Sequence, residues 1–256
     1  MGQNKVIKAA FAGNPNSGKT SLFNAVAGTN LKVGNWSGVT VEKYEAEVEY
    51  EGYTINFVDL PGTYSLTAYS PEETVARDYI ESKEADVIVN VADGTNLERS
   101  LYLSVQLLEL QPKTIMALNM YDEVEEKGIK IDFKMLQQLL GCHVIPVSAA
   151  KKTGLESLLS HIVRLYEGKI TAPEGKITYS DEVEDAIEKL QVIIQNDPLM
   201  SSKLKPRLAA IKLLEHDAFT YNAARHSPAW IRLETELPPI LKSLEAAVKM
   251  SIQKKI

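Results

Sequence analysis

The chain has 256 residues, 45% hydrophobic and 24% charged, which is ordinary globular usage and excludes a disordered, collagen-like or disulfide-stapled protein. Its formal net charge of −6 comes from 34 acidic and 28 basic residues with no basic block, so nucleic acid is not an expected partner. The length allows one medium domain with a smaller companion. Cys142, the single cysteine, cannot make an intramolecular disulfide or a zinc site by itself and reads as a buried small hydrophobe in a reducing compartment. No apolar run reaches the roughly 18 to 20 residues of a membrane helix, and Met1 to Lys8 lacks a signal-peptide core, so the chain as given is expected to be soluble and cytosolic.

From Val6 to about Gly168, short apolar runs alternate with helical patterns. Strands are predicted at Val6 to Ala12, Val41 to Tyr50, Tyr53 to Val58, Asp86 to Ala92, Thr114 to Asn119 and His143 to Val147. Helices are predicted at Lys19 to Ala27, Pro71 to Ser82, Leu97 to Leu110, Asp132 to Leu140 and Gly154 to Glu167. Strands separated by helices imply right-handed crossovers in a mostly parallel sheet. Only Glu51-Gly52 separates the second and third strands, which must therefore form an antiparallel hairpin. The expected architecture is α/β, a six-stranded sheet with one antiparallel edge strand over residues 1–168. Lys169 to Tyr179, with Pro173 and Gly175, reads as a linker. Residues 180–256 show no strand pattern. Ser180 and Asp181 can cap a helix with Val183, Ile187, Leu190 and Ile194 on its apolar face, and Pro206 to Asp217, Ser227 to Glu236 and Pro238 to Gln253 give further helices, so a small helical subdomain is expected.

Directly after the first strand stands Gly13-Asn14-Pro15-Asn16-Ser17-Gly18-Lys19-Thr20, the G-x-x-x-x-G-K-[ST] pattern, followed at once by a helix. Its glycines let backbone N–H groups turn toward phosphate oxygens, Lys19 offers a point charge, and the Thr20 hydroxyl can meet Mg²⁺. Asp59-Leu60-Pro61-Gly62 ends the third strand, where a carboxylate can hold the metal's water and the Gly62 N–H can meet the γ phosphate. Asn119-Met120-Tyr121-Asp122 and Ser148-Ala149-Ala150-Lys151 end the fifth and sixth strands, at the sheet edge where ligands bind in open α/β folds. The Asp122 carboxylate can accept from the N1–H and exocyclic amine of guanine, two donors that adenine lacks, so GTP is expected over ATP. Thr40 follows the Gly-rich stretch Gly34 to Val39, where a switch-loop threonine would reach both the metal and the γ phosphate. Trp36 in that stretch is either a partner anchor or a packed lid.

With these motifs placed, the chain resembles the amino-terminal cytosolic region of the FeoB ferrous iron transporter family, within the TrmE-Era class of GTPases. The likeness rests on Gly13 to Asn24, Val33 to Glu42, Asp59 to Ser65 and Tyr69 to Tyr79. It implies a P-loop GTPase domain followed by a helical GDI-like segment, and a transmembrane transport domain of the same protein as partner. It places the chain at the cytoplasmic face of the bacterial inner membrane, where a GTP cycle gates Fe²⁺ uptake. A nucleotide sensor with incidental turnover and a soluble TrmE-Era-class GTPase are the rival readings, and a homo-oligomer is an open possibility. The nucleotide contacts expected are Asn14, Asn16, Ser17, Gly18, Lys19, Thr20, Ser21, Asn119, Met120, Asp122, Ser148, Ala149 and Ala150. Mg²⁺ is expected at Thr20, Thr40 and Asp59, and the catalytic set is Lys19, Thr40, Gly62 and Asn16. Met120 replaces the common lysine of N-K-x-D and adds no charge to the base site, so nucleotide affinity is expected to be modest. Thr63 stands where Ras-like proteins place a glutamine, so intrinsic hydrolysis is expected to be slow. Cation-dependent relatives of the TrmE class carry an asparagine matching Asn16, and a K⁺ ion held by Asn16 and by the carbonyls of Gly34 and Trp36 is the activator expected here.

Overall fold

A computed structural model of the chain describes residues 5–66, 70–110, 113–173, 175, 177–203 and 205–253. Tyr69, the start of one motif string, lies outside the described residues, as do Met1 to Asn4 and, within the linker stretch, Glu174 and Lys176. The chain divides into two compact units, Met1–Ile177 and Thr178–Ile256. Among the described residues no helix is long and apolar enough to cross a membrane.

The first unit is built on β1 (Lys5–Gly13), β2 (Leu31–Asn35), β3 (Glu42–Tyr50), β4 (Tyr53–Asp59), β5 (Val87–Asp93), β6 (Thr114–Asn119) and β7 (His143–Pro146), in the order β2-β3-β4-β1-β5-β6-β7. Strands β4, β1, β5, β6 and β7 pair in parallel, while β3 is antiparallel to both of its neighbours. The mixed sheet with an antiparallel edge is as expected. Its strand count is seven rather than six, because β2 adds itself outside β3. All five β2 residues are exposed, so no burial periodicity marks the strand in the sequence; the ladder from Leu31 opposite Ala46 to Asn35 opposite Glu42 holds it. Glu51 and Gly52 both have positive φ, 46° and 78°, as a tight two-residue hairpin turn requires.

Helices α1 (Lys19–Ala27), α2 (Pro71–Glu81), α3 (Leu97–Glu109), α4 (Tyr121–Glu126), α5 (Phe133–Leu140) and α6 (Leu155–Tyr166) cover the sheet. The pleat of β1 explains how it serves two layers. Ile7, Ala9 and Phe11 bury with Leu22 and Phe23 of α1 and Ile162 of α6, whereas Ala10 and Ala12 bury with Tyr79 of α2 and Leu103 of α3. Phe11 meets the edges of Phe23 and Phe57 at 5.6 and 5.3 Å. With both faces covered, β5 is buried from Val87 to Ala92 and reads as an apolar run broken by Asn90, whose buried amide donates to the Ser104 hydroxyl at 2.5 Å. Cys142 packs with Leu136, Leu140 and Met116, and burial pushes its thiol up to about 12.

The second unit contains α7 (Asp181–Gln195), α8 (Pro198–Lys203), α9 (Pro206–Leu214), α10 (Ala218–Arg225) and α11 (Trp230–Gln253). Ile187, Leu190 and Ile194 of α7 bury against Ala209, Ala210 and Leu213 of α9 and against Leu233 and Leu237 of α11. A break between two helices was expected at Pro238, but α11 runs through Pro238 and Pro239. Proline deprives a helix of one hydrogen bond. Here Leu233, Leu237, Ile240 and Leu241 form one apolar stripe across the prolines, and its burial holds the helix together.

Asp197 is the polar fastener of this unit. Only 3% exposed, its carboxylate accepts from the amides of Leu199 at 2.8 Å, Met200 at 3.0 Å and, across 32 positions of sequence, Ala229 at 2.6 Å. Burial alone would push this carboxyl up, but the amides of Met200, Ala229 and Leu199 and the Ser227 hydroxyl outweigh it and hold the group below the usual carboxylate range. Such a group stabilises the fold above its unfolded value and loses that contribution as pH falls through the depressed one. Asp197→Ala, which strands buried donors, is expected to cost about 3 kcal/mol or more in urea unfolding followed by Trp230 fluorescence, and Asp197→Asn about half as much. The wild-type advantage over Asp197→Asn should shrink at pH values below the usual carboxylate range.

Candidate functional site

β1 lies between β4 and β5, and the crossovers on its two sides leave a crevice at the carboxyl end of the sheet. The loops after β1, β4, β6 and β7 meet there. In the first of them Asn16 and Gly18 adopt the left-handed conformation, φ 67° and 73°, which turns successive N–H groups to one side. A side chain at Gly18 would be strained at this φ and would displace Asn119, since its Cβ would stand 2.4 Å from Asn119 Nδ2. Helix α1 begins at Lys19 with no side-chain cap, leaving its first-turn N–H groups for an anion. Asn14, Pro15, Asn16, Gly18, Lys19, Thr20, Ser21 and Gly62 line a cleft of about 430 Å³.

Inside the cleft Lys19 and Asp59 form an ion pair, 7% and 4% exposed, and the Thr20 hydroxyl donates to the other Asp59 oxygen at 3.1 Å. Burial pushes the Asp59 carboxyl up, against the pull of Lys19 and the Thr20 hydroxyl. The Thr20 hydroxyl and the Asp59 carboxylate are hard oxygen donors side by side, a set that fits Mg²⁺ bound jointly with phosphate oxygens.

At the other end Asn119, 1% exposed, donates from Nδ2 to the Ser17 carbonyl at 3.0 Å and accepts at Oδ1 from the Ala149 amide at 3.1 Å. Both ends of its amide are thus committed to tying the loops after β1 and β7 together. Met120 is left-handed, φ 58°, and its methyl lies 3.4 Å from where a Gly18 Cβ would be, laid against the phosphate loop. Ser148 is fully buried, its hydroxyl accepting from the Lys151 amide at 3.0 Å, while Ala149 is half-buried and Ala150 exposed. The Asp122 side chain is 16% exposed with the Lys151 ammonium 3.9 Å away.

Three of the expected site residues stand elsewhere. Gly34 is exposed within β2, opposite Lys43, and Thr40 is exposed in the loop that follows. Trp36 is packed rather than presented: its ring meets the Tyr79 ring edge-on at 5.4 Å and lies under the Lys43 ammonium at 5.0 Å. Its carbonyl accepts from the Val39 amide at 3.3 Å. None of the three lines the cleft, because the 34–40 segment is held by its ladder to β3 and by Trp36 on α2. Two participants escaped the sequence reading. Pro15 backs Gly62, and Lys151, hydrogen-bonded to Glu126 at 2.9 Å, brings its ammonium to 3.9 Å from Asp122; the S-A-x-K spacing was the one signal for the lysine, and nothing in the sequence marks the proline's neighbour.

The chain matches the family model for ferrous iron transport protein B over residues 7–162 and the model for the FeoB cytosolic helical domain over 179–256. It is 45% identical over 240 residues to the Fe(2+) transporter FeoB of Methanocaldococcus jannaschii, covering 94% of this chain and 35% of that protein. Among solved structures it is similar to an S. thermophilus NFeoB mutant bound to mGDP, with TM-score 0.80, 38% identity and coverage of 96% and 91% of the two chains. It is similar also to the cytosolic domain of the T. maritima FeoB iron transporter in a GDP form, with TM-score 0.77, 42% identity and coverage of 86% and 85%. The chain spans between 25% and 35% of the length of curated relatives such as these transporters. With model matches over most of its length and close relatives throughout, the chain belongs to the ferrous iron transport protein B family.

Proposed function

We propose that the chain binds and hydrolyses GTP, and that this cycle gates Fe²⁺ passage through a membrane transport domain that we assign to the remaining length of its relatives. In this reading residues 1–168 are the GTPase domain, 169–179 the linker and 180–256 a GDI-like helical segment, all at the cytoplasmic face of the membrane. The observation that carries it is the buried Lys19–Asp59 pair beside uncapped α1, with Thr20 on the same carboxylate. Solved relatives described as GDP- and GMPPNP-bound support it.

Phosphate oxygens would replace Asp59 as the partner of Lys19, and the first-turn amides of α1 would donate to the same phosphates. The freed Asp59 carboxylate and the Thr20 hydroxyl would then hold Mg²⁺, which when bound would supply charge neutralisation to the phosphates. Asp122 reads the base, and Asn119 supports that reading by fixing the loops on either side. Gly62 offers its N–H to the γ phosphate. Hydrolysis is slow because the Thr63 hydroxyl is engaged by the Ser65 carbonyl and by Glu73 Oε1 at 3.3 Å, and is too short to orient a water from there. That same engagement favours a second reading, a nucleotide sensor whose bound state alone matters. Asn16 lines the cleft, and K⁺ at its carbonyl would supply the missing positive charge. Thr40 and the carbonyls of Gly34 and Trp36 join only if the 34–40 segment leaves β3 and Trp36 leaves Tyr79.

Asp122→Asn should weaken GTP binding about 10²-fold by calorimetry and gain xanthosine triphosphate, since an amide there meets the wrong donors on guanine. Turnover by wild type should rise at least about tenfold from sodium to potassium buffer, part of the 10³ to 10⁵ that an arginine contributes elsewhere, and Asn16→Ala should lose the rise. Equal rates in both salts would favour the sensor. In a Trp230→Phe background, GMPPNP with Mg²⁺ should shift Trp36 emission while GDP leaves it unchanged, and Thr40→Ala should suppress the shift.

A further inference from the structure

Arg99, at the third position of α3, touches both phosphate-facing loops. Its carbonyl accepts from Asn14 Nδ2 at 3.0 Å, and its guanidinium carbon lies 4.4 Å from the centroid of the Tyr64 ring. Asn14 is 5% exposed while Arg99 is exposed, so the carbonyl contact is a part-buried anchor of the phosphate loop. Tyr64 follows Gly62-Thr63 directly. The Thr63 amide donates to the Gly13 carbonyl at 3.2 Å, and a Cβ at Gly62 would stand 3.4 Å from Pro15 Cα. The Gly62-Thr63 peptide, which the proposed function sets against the γ phosphate, is therefore pinned on one side by the loop after β1 and on the other by the stack of Tyr64 on Arg99.

We propose that Arg99 is a positioning residue for GTP hydrolysis, its guanidinium holding Tyr64 so that Gly62-Thr63 keeps its place against the phosphate loop. This rests on the hydrolase reading above. A chain whose Thr63 hydroxyl is turned away has no long side chain to orient water, so backbone placement of Gly62-Thr63 carries more of the transition-state geometry. The cation and ring are both at the surface, where such stacks are weak, so the effect is a few-fold one. Because the Asn14 anchor uses the main-chain carbonyl, substitutions of the Arg99 side chain test the stack alone.

The experiment compares wild type, Arg99→Ala, Arg99→Lys, Tyr64→Leu, Tyr64→Phe and the Arg99→Ala/Tyr64→Leu double variant. Each is measured for GTP turnover at saturation with Mg²⁺ and K⁺, for GDP affinity and for Tm. Arg99→Ala and Tyr64→Leu should each lower kcat about two- to fivefold with GDP affinity and Tm unchanged. Arg99→Lys and Tyr64→Phe should keep most of the activity, and the double variant should be no slower than either single one. Wild-type kcat in Arg99→Ala, or losses that multiply in the double variant, would overturn the proposal. A wild-type chain that binds GTP without hydrolysing it would overturn the hydrolase reading; the ratio of GMPPNP to GDP affinity then decides for Arg99, lowered in Arg99→Ala if it positions the loop and unchanged if it does not.

Discussion

Lys19 at the start of α1 and Asp59 at the end of β4 are both below a tenth exposed, and the ion pair between them fastens the phosphate loop to the neighbouring parallel strand. Two charges withdrawn from water in this way are costly, and removing either one alone would leave the other buried at a cost of about 3–5 kcal/mol. Replacing a buried pair by apolar residues of similar volume is often neutral or stabilising, so fold stability alone does not account for this one. In the proposed function the charges act as place-holders: phosphate and a divalent cation would be the better partners, and without them each charge satisfies the other. Asp59's upward shift reflects the same tension between desolvation and pairing.

Around that pair the crevice is tied by neutral contacts. Asn119 spends its whole amide between Ser17 and Ala149, and Gly18 has room for no side chain because Asn119 occupies the space. The loops after β1, β6 and β7 therefore act as one body, with Met120 laid across it. Buried amide networks of this kind specify a single arrangement because each unmade hydrogen bond would be expensive. That tying contrasts with the exposed β2 ladder and the Trp36–Tyr79 contact, which hold the 34–40 segment away from the cleft with little buried apolar area. The segment that the proposed cation contacts would require to move is thus also the one held by the least buried apolar area.

The helical unit shows the same division between apolar packing and a polar fastener. Its stripe from Leu233 to Leu241 is continuous enough to carry α11 through two prolines, and Asp197 links the start of α8 to the start of α11 by amide hydrogen bonds.

Much of the crevice was legible because it is local. Gly13 to Thr20 is an unbroken string, Asp59 and Asn119 sit at strand ends, and the apolar runs of β1, β5 and β6 announce buried strands whose ends must gather at one edge. Burial periodicity could not reveal β2, which buries nothing, nor the passage of α11 through Pro238, which depends on a stripe that only packing makes continuous. Most element types, the order of the motifs and the chemistry each residue type can perform are local properties and could be read along the chain. The tertiary structure alone decided who meets whom: that Asn119 is a clamp, that Trp36 packs on α2, and that Arg99, 85 positions from Asn14, holds it. The reason is physical. Backbone conformation and side-chain chemistry are properties of short segments, whereas a contact across long separation is fixed only when the competing burials of the whole core have been settled together.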